Sequence, residues 1–228
     1  MDTALQGKSA LIVGGTSGIG YQVAQALLQE SVSVVVQGKR NAAHVDSLCR
    51  QGNAAGFMCD LQEMDCIQEL CKYANEADVL CVGYGPFLQK PLDITTADEW
   101  SETVYANLTL PGILVSAALH GMKERHWGRI LLFGGTETHV LRGFRTNAVY
   151  GAAKTGLMSL VKSVSMEYAR YGITANAICP GFTDSGLLPE EIRLLWAKKN
   201  PDGELVSTAA IVEAALLLLK NSSYNGVM

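Results

Sequence analysis

Histidine is scarce in this chain of 228 residues, and its cysteines are not spaced to hold a metal. The four histidines (His44, His120, His126, His139) are scattered, and the six cysteines at 49, 59, 66, 71, 81 and 179 form no CxxC pair. That arrangement excludes a zinc site of the usual spacing. With no disulfide-framework pattern either, all six are expected to be reduced thiols of a cytoplasmic protein. An excess of positive charge is also missing: 18 Lys and Arg stand against 22 Asp and Glu, for a net charge of −4. Nucleic acid and anionic membranes are therefore poor partners, and small molecules are the expected ones. Long hydrophobic runs are absent too. The stretch AAIVEAALLLL is interrupted by Glu213 and is too short to cross a bilayer. The N-terminus, with Asp2 and Lys8 around a short apolar run, lacks the basic-then-apolar layout of a secretory signal. There is no internal repeat, low-complexity tract or linker, so one domain over 1–228 is expected.

What is present is alternation. Short apolar runs SALIVG (9–14), VSVVVQ (32–37), AAGFMC (54–59), DVLCV (78–82), GRILLF (128–133) and ITANAIC (173–179) are separated by amphipathic segments. This predicts an α/β fold with a mainly parallel, doubly wound sheet and helices on both faces. The strands are apolar nearly throughout, as strands covered on both sides must be. Segments 97–126 and 148–171 are apolar on more than one side, which points to contact with another subunit. Two irregular zones, 83–96 and 183–206, are expected over the sheet's carboxyl edge, where such folds bind ligands.

The first run is followed directly by GGTSGIG, which spaces Gly14, Gly18 and Gly20 as G-x-x-x-G-x-G around Thr16, Ser17 and Ile19. Glycines permit a tight turn and close backbone approach, so a pyrophosphate can lie against the free amides of the next helix. Between a strand and a helix, this turn predicts dinucleotide binding. About twenty residues further on, where an acid would hold the adenosine ribose, the chain reads QGKRN. Gly38 leaves room there, and Lys39 and Arg40 supply charge for a 2′-phosphate, so NADP(H) is favoured over NAD(H). Asp60, just past the third run, either accepts from the adenine amino group or caps the following helix. Finally, VYGAAKT sets Tyr150 and Lys154 four residues apart, on one face of a helix.

With GGTSGIG, Asp60, Asn107, YGAAK and CPG in this order, nearly the whole chain resembles the short-chain dehydrogenase/reductases, most closely the 3-oxoacyl-acyl-carrier-protein-reductase-like members. The resemblance implies a Rossmann-type sheet of order 3-2-1-4-5-6. It implies Tyr150 as general acid toward a carbonyl, and Lys154 as the residue that holds the nicotinamide ribose and depresses the phenol pKa. Asn107 would hold a water of the proton relay, and Leu61, Gly83, Pro180, Gly181, Thr183 and Ser185 would meet the cofactor. Members pair as homodimers or homotetramers.

Several positions depart from the family pattern. The usual catalytic serine is replaced by Gly135, leaving Thr136 as the candidate hydroxyl; Val82 to Gly85 replace the usual NNAG; Val13 replaces a threonine; and after SSYNGVM a seventh strand is missing or incomplete. The expected function is NADPH-dependent reduction of a small carbonyl or acyl substrate. An NADP(H)-binding protein with little catalysis and an NAD-dependent alcohol dehydrogenase are the alternatives. His139, Arg142 and Arg145 either attract an anionic substrate or are solvated. The segment 187–199, with Trp196, reads as a lid helix over an apolar pocket.

Overall fold

A computed structural model describes residues 4–184, 186 and 189–228. Its first half runs β1 (Ser9–Val13), α1 (Gly18–Gln29), β2 (Ser33–Gly38), α2 (Ala42–Gln51), β3 (Ala54–Met58), α3 (Met64–Glu76) and β4 (Val79–Val82). The second half continues with α4 (Ala97–Val104), α5 (Leu110–Arg125), β5 (Gly128–Phe133), α6 (Ala148–Glu167) and β6 (Ile173–Ile178). The six strands form one parallel sheet in the order β3-β2-β1-β4-β5-β6. Both the α/β expectation and the strand order hold.

The period-2 alternation of each strand feeds two cores. Leu11, Val13, Leu80, Val82, Ile130 and Leu132 pack on one face beneath α3, α5 and α6. Ala10, Ile12, Val79, Cys81, Leu131 and Phe133 pack on the other, against α1, α2 and α8 (Thr208–Lys220). β1 and β4 are neighbours although β2 and β3 intervene in the chain. Their carboxyl ends therefore form the switch point where a crevice opens in sheets of this kind.

Residues 97–125 are helical throughout, and α4 begins with a capping box in which Thr96 and Glu99 satisfy each other's backbone amides. A π-helical turn, Tyr105–Thr109, interrupts the α-helical ladder. Pro111, four residues past Asn107, has no N–H to offer that residue's carbonyl, so the regular pattern fails at this point. The whole segment is long and apolar enough to cross a membrane, but half of its apolar window is buried inside the protein. It is the central helix of the α3–α5–α6 face.

Beyond β6 lie a small parallel pair, β7 (Thr183–Asp184) and β8 (Val206–Ser207), and the helix α7 (Glu190–Ala197). The C-terminal residues run along β6 without forming a full strand. Gly226 N donates to Ala175 O and Ala177 N donates to Val227 O. Asn176 and Asn225 add side-chain bonds across the same edge.

One expectation is corrected. Cys59 and Cys66 are joined in a disulfide, so not all six thiols are free. The loop between β3 and α3 brings their Cα atoms to 5.8 Å, inside the range a disulfide bridges, although no sequence motif marks the pair.

Candidate active site

The glycine turn is held by a residue that motif reading missed. Gln37, buried in β2, accepts from Gly14 N through its side chain and from Gly15 N through its backbone carbonyl. Its amide nitrogen in turn donates to Cys59 O, tying the turn to the end of β3. A lone glutamine in an otherwise apolar strand was the available signal. Gly14 and Gly18 adopt φ +76° and +52°, a region other residues enter only with strain. A Cβ on Gly20 would stand 2.4 Å from Gly14 O. The backbone therefore approaches itself too closely for any side chain. Ser17 precedes α1 in an extended conformation and makes no side-chain cap, so the first-turn amides face the crevice uncapped. Gly20→Ala is expected to open the turn and weaken dinucleotide binding by about ten-fold or more, as overpacking of this size costs about 1–3 kcal/mol. Calorimetric titration reads the loss.

On one side of this turn lies a cavity of about 560 Å³ lined by Gly14, Thr16, Ser17, Gly38, Lys39, Arg40, Asp60, Leu61 and Tyr84. Lys39 forms an ion pair with Asp60, which lowers the Asp60 pKa below the ordinary carboxylate range. Arg40 forms no ion pair among the described residues and stands exposed at the rim. Two expectations change here. Asp60 does not cap α3, whose N-cap is Glu63; it accepts from Gln62 N in a turn of its own. The space beside Gly38 is not open either, because the Thr16 side chain fills it. Gly83 N donates to Val13 O, closing the switch point between β1 and β4. Tyr84 brings a half-buried ring to the cavity wall.

On the other side is a cavity of about 410 Å³. Ile19, Pro180, Gly181 and Thr183 line it together with Tyr150, Gly135 and Thr136. Ser185 lies outside the described residues. Phe182 and Trp196, with ring centres 5.5 Å apart, bring α7 to the cavity mouth; residues 187 and 188 of the expected lid segment lie outside the described residues. Phe87 meets Tyr150 edge-on at 5.0 Å, a contact no motif predicted. Neither His139, Arg142 nor Arg145 lines this space, and Arg142 is paired with Glu137; the cation at the mouth is Lys199.

Tyr150 and Lys154 share one face of α6 as their spacing required, yet burial dominates both. The phenol is pushed up to about 12, first by burial and then by the Cys179 thiol beside it. Burial pulls the Lys154 ammonium down to about 8. Lys154 Nζ donates to Phe133 O at 2.7 Å and lies 5.9 Å from the Tyr150 ring centre. The expected depression of the phenol by Lys154 is therefore not expressed in the protein by itself, where desolvation outweighs a cation at that distance.

Asn107 donates to Pro86 O and Thr103 O at 3.0 Å each, while its Oδ1 is buried with no partner among the described residues. A Cβ on Gly85 would lie 2.7 Å from Asn107 Oδ1 and 2.8 Å from Lys154 Nζ. Glycine at 85 thus keeps open the small space that these two groups flank, and an orphaned buried acceptor there fits a water.

At the serine position, Gly135 faces the phenol directly: a Cβ there would come within 3.0 Å of Tyr150 Oη. Thr138 is buried, and its hydroxyl is committed to Gly135 N and Gly135 O. Thr136 is exposed on the wall shared with Tyr150, and its hydroxyl bonds to no described residue. The uncapped helix start, the crowded glycines and the flanking pair of cavities fit a bound dinucleotide.

Comparisons with known proteins agree with this geometry. The family model described as short chain dehydrogenase matches residues 8–193. The chain is 30% identical to a D-beta-hydroxybutyrate dehydrogenase of Cupriavidus necator, over 94% of this chain and 91% of that protein. It is also 30% identical to a 3-oxoacyl-acyl-carrier-protein reductase of Mycobacterium avium, over 97% and 86%. Among solved structures, a short chain dehydrogenase/reductase family protein superposes with a TM-score of 0.87 at 29% identity, covering 100% of this chain and 95% of that one. The actinorhodin polyketide ketoreductase, solved with NADPH, gives 0.83 at 25%, with 100% and 96% covered. By its matched family model, its sheet order and these relatives, the chain belongs to the short-chain dehydrogenase/reductase family, nicotinamide-dependent oxidoreductases that act between CH–OH and C=O groups.

Proposed function

We propose that this chain is an NADP(H)-dependent carbonyl reductase in which Tyr150 is the general acid. The observation that carries this reading is the placement of Tyr150: it is half-buried and lines the cavity beside the glycine turn, with Gly135 against its hydroxyl and Lys154 one turn further along α6. A phenol placed there holds its proton at neutral pH and can give it to a carbonyl oxygen. When bound, the nicotinamide cofactor supplies the hydride. Gly14, Ser17, Gly18 and Gly20 offer the turn and free amides for the pyrophosphate, with Leu61, Asp60 and Gly83 along the adenosine side. Ile19, Pro180, Gly181 and Thr183 border the nicotinamide side. Lys154 orients the ribose, Asn107 holds a relay water with its free Oδ1, and Thr136 supplies the hydroxyl that Gly135 lacks.

The preference for NADP(H) rests on Arg40. With Lys39 engaged by Asp60, Arg40 is the cation left to meet a 2′-phosphate. Arg40→Ala is expected to weaken NADPH by about ten- to a hundred-fold, since a charge-assisted contact is worth about 1.5–3 kcal/mol, with NADH unchanged. Calorimetric titration of the unmodified protein with both cofactors is the direct test. Equal affinities would end the NADP(H) reading.

The substrate wall formed by Phe87, Phe182 and Trp196 is apolar, with Lys199 at the mouth. The two curated relatives are named for a 3-hydroxy acid and for 3-oxoacyl groups, which supports a small 3-oxo acid or acyl substrate. Exposed Ile113 and Met166 on α5 and α6 support pairing with a second copy. The absence of a side chain at Gly135 favours one rival, a nucleotide-binding protein with little turnover. An NADPH oxidation assay over a 3-oxo ester panel separates the two.

A further inference from the structure

The end of β2 carries Gly38, the residue from which a ribose-binding carboxylate would project. A Cβ built on Gly38 would stand 2.0 Å from Thr16 Oγ1, 2.4 Å from Thr16 Cγ2 and 2.7 Å from Thr16 Cβ. No rotation about the Thr16 side chain relieves this, because the β-carbon itself is too close. Thr16 is also 4% exposed and β-branched, with restricted χ1.

Its other bonds run into the loop that follows Gly38. Thr16 Oγ1 donates to Arg40 O at 3.1 Å. Thr16 O meets His44 Nδ1 at 2.8 Å and accepts from Asn41 Nδ2 at 3.5 Å. Asn41 sits in the left-handed region, at φ 64°, so the chain reverses sharply just after Arg40. One residue of the glycine turn therefore occupies the acid's place and braces the segment that presents Arg40.

We propose that Thr16 is the positioning residue that sets the choice between the two cofactors, by excluding a carboxylate at position 38 and splinting the loop so that Arg40 faces the 2′-phosphate. This deepens the NADP(H) reading above and rests on it. The pocket chemistry at issue is recognition of a ribose 2′-phosphate, and 2′,5′-ADP against 5′-ADP isolates it from the rest of the cofactor.

Three variants of the whole chain test the assignment. Gly38→Asp alone is expected to lose NADPH without gaining NADH, because the new side chain collides with Thr16. The double variant Thr16→Gly, Gly38→Asp is expected to bind NADH about ten-fold or more tightly than the single variant does. If Gly38→Asp by itself gains NADH as fully as the double variant, Thr16 does not gate the position. If Gly38→Asp fails to fold while the double variant folds, the steric conflict is upheld.

Thr16→Val keeps the volume and removes the bond to Arg40 O. It is expected to weaken 2′,5′-ADP by about five-fold, the worth of one hydrogen bond, and to leave 5′-ADP unchanged, with Thr16→Ser restoring the difference. An equal loss for both probes would mean a merely structural role and overturn the proposal, even if neither Gly38 variant folds. Were the unmodified protein to bind NADH as tightly as NADPH, the NADP(H) reading would fall. The comparison of the Gly38 variants would still report on the gate.

Discussion

Replacing Tyr150 by phenylalanine is expected to lower kcat by about a thousand-fold, the range that general acid catalysis supplies, while leaving NADPH affinity unchanged. The substitution removes one hydroxyl and keeps the ring that Phe87 contacts edge-on at 5.0 Å. The fold loses no packing, and circular dichroism and the melting temperature should match those of the unmodified protein. Because burial holds the phenol near about 12, Tyr150 keeps its proton across the neutral range. Reduction then loses nothing to ionisation of this group at pH 7, whereas the reverse oxidation, which needs the deprotonated phenol, should rise with pH. A variant that retains activity within about ten-fold of the original would remove Tyr150 from the acid role and favour the nucleotide-binding reading.

Lys154→Met is the second large effect, and it runs in opposite directions for activity and stability. Loss of the ammonium removes the group proposed to orient the ribose, so turnover is expected to fall by about a hundred-fold or more. Stability without ligand should rise at pH 7. Burial pulls Lys154 from 10.5 down to about 8, so the folded chain carries a cation there at a cost. At about 1.4 kcal/mol per pH unit that gap amounts to about 3 kcal/mol as an upper bound. Methionine fills the stem's volume, and orphaning Phe133 O costs about 1–2 kcal/mol, so the cation's penalty wins.

The sign follows from proton counting. Between about 8 and 10.5 the unfolded chain holds a proton on Lys154 that the folded chain does not, so the unmodified protein gains stability as pH rises through that window. Tyr150 acts oppositely: its folded pKa of about 12 lies above the ordinary phenol value of 10.0, so its contribution is lost as pH climbs beyond 10. Urea unfolding at pH 7 and pH 10 should therefore show the variant as the more stable at pH 7 and the less stable at pH 10. A difference that does not change with pH would show that the charge is not what burial penalises.

Much of the site was legible because its chemistry depends on local spacing. Tyr150 and Lys154 share a helix face at i, i+4, and the glycine turn follows from strand, glycines and helix in immediate succession. Where residues distant in the chain converge, that reasoning went astray. Lys39 and Asp60 are 21 residues apart and pair across the cavity rim, a contact that leaves Arg40 as the cation proposed to meet a 2′-phosphate. Gly38 had seemed to offer space, but Thr16 fills it from the preceding turn.

By itself the sequence determined the α/β class, the six strands, the glycine turn and the Tyr150–Lys154 pair, because each is written in a period or spacing of a few residues and needs no partner from elsewhere. Tertiary structure alone decided the Cys59–Cys66 link, the clamp by Gln37, the unpartnered Oδ1 of Asn107 and the upward shift of the Tyr150 phenol. Burial and orphaned polar atoms are properties of a packed interior. They come into being only when segments far apart in the chain exclude water from one another.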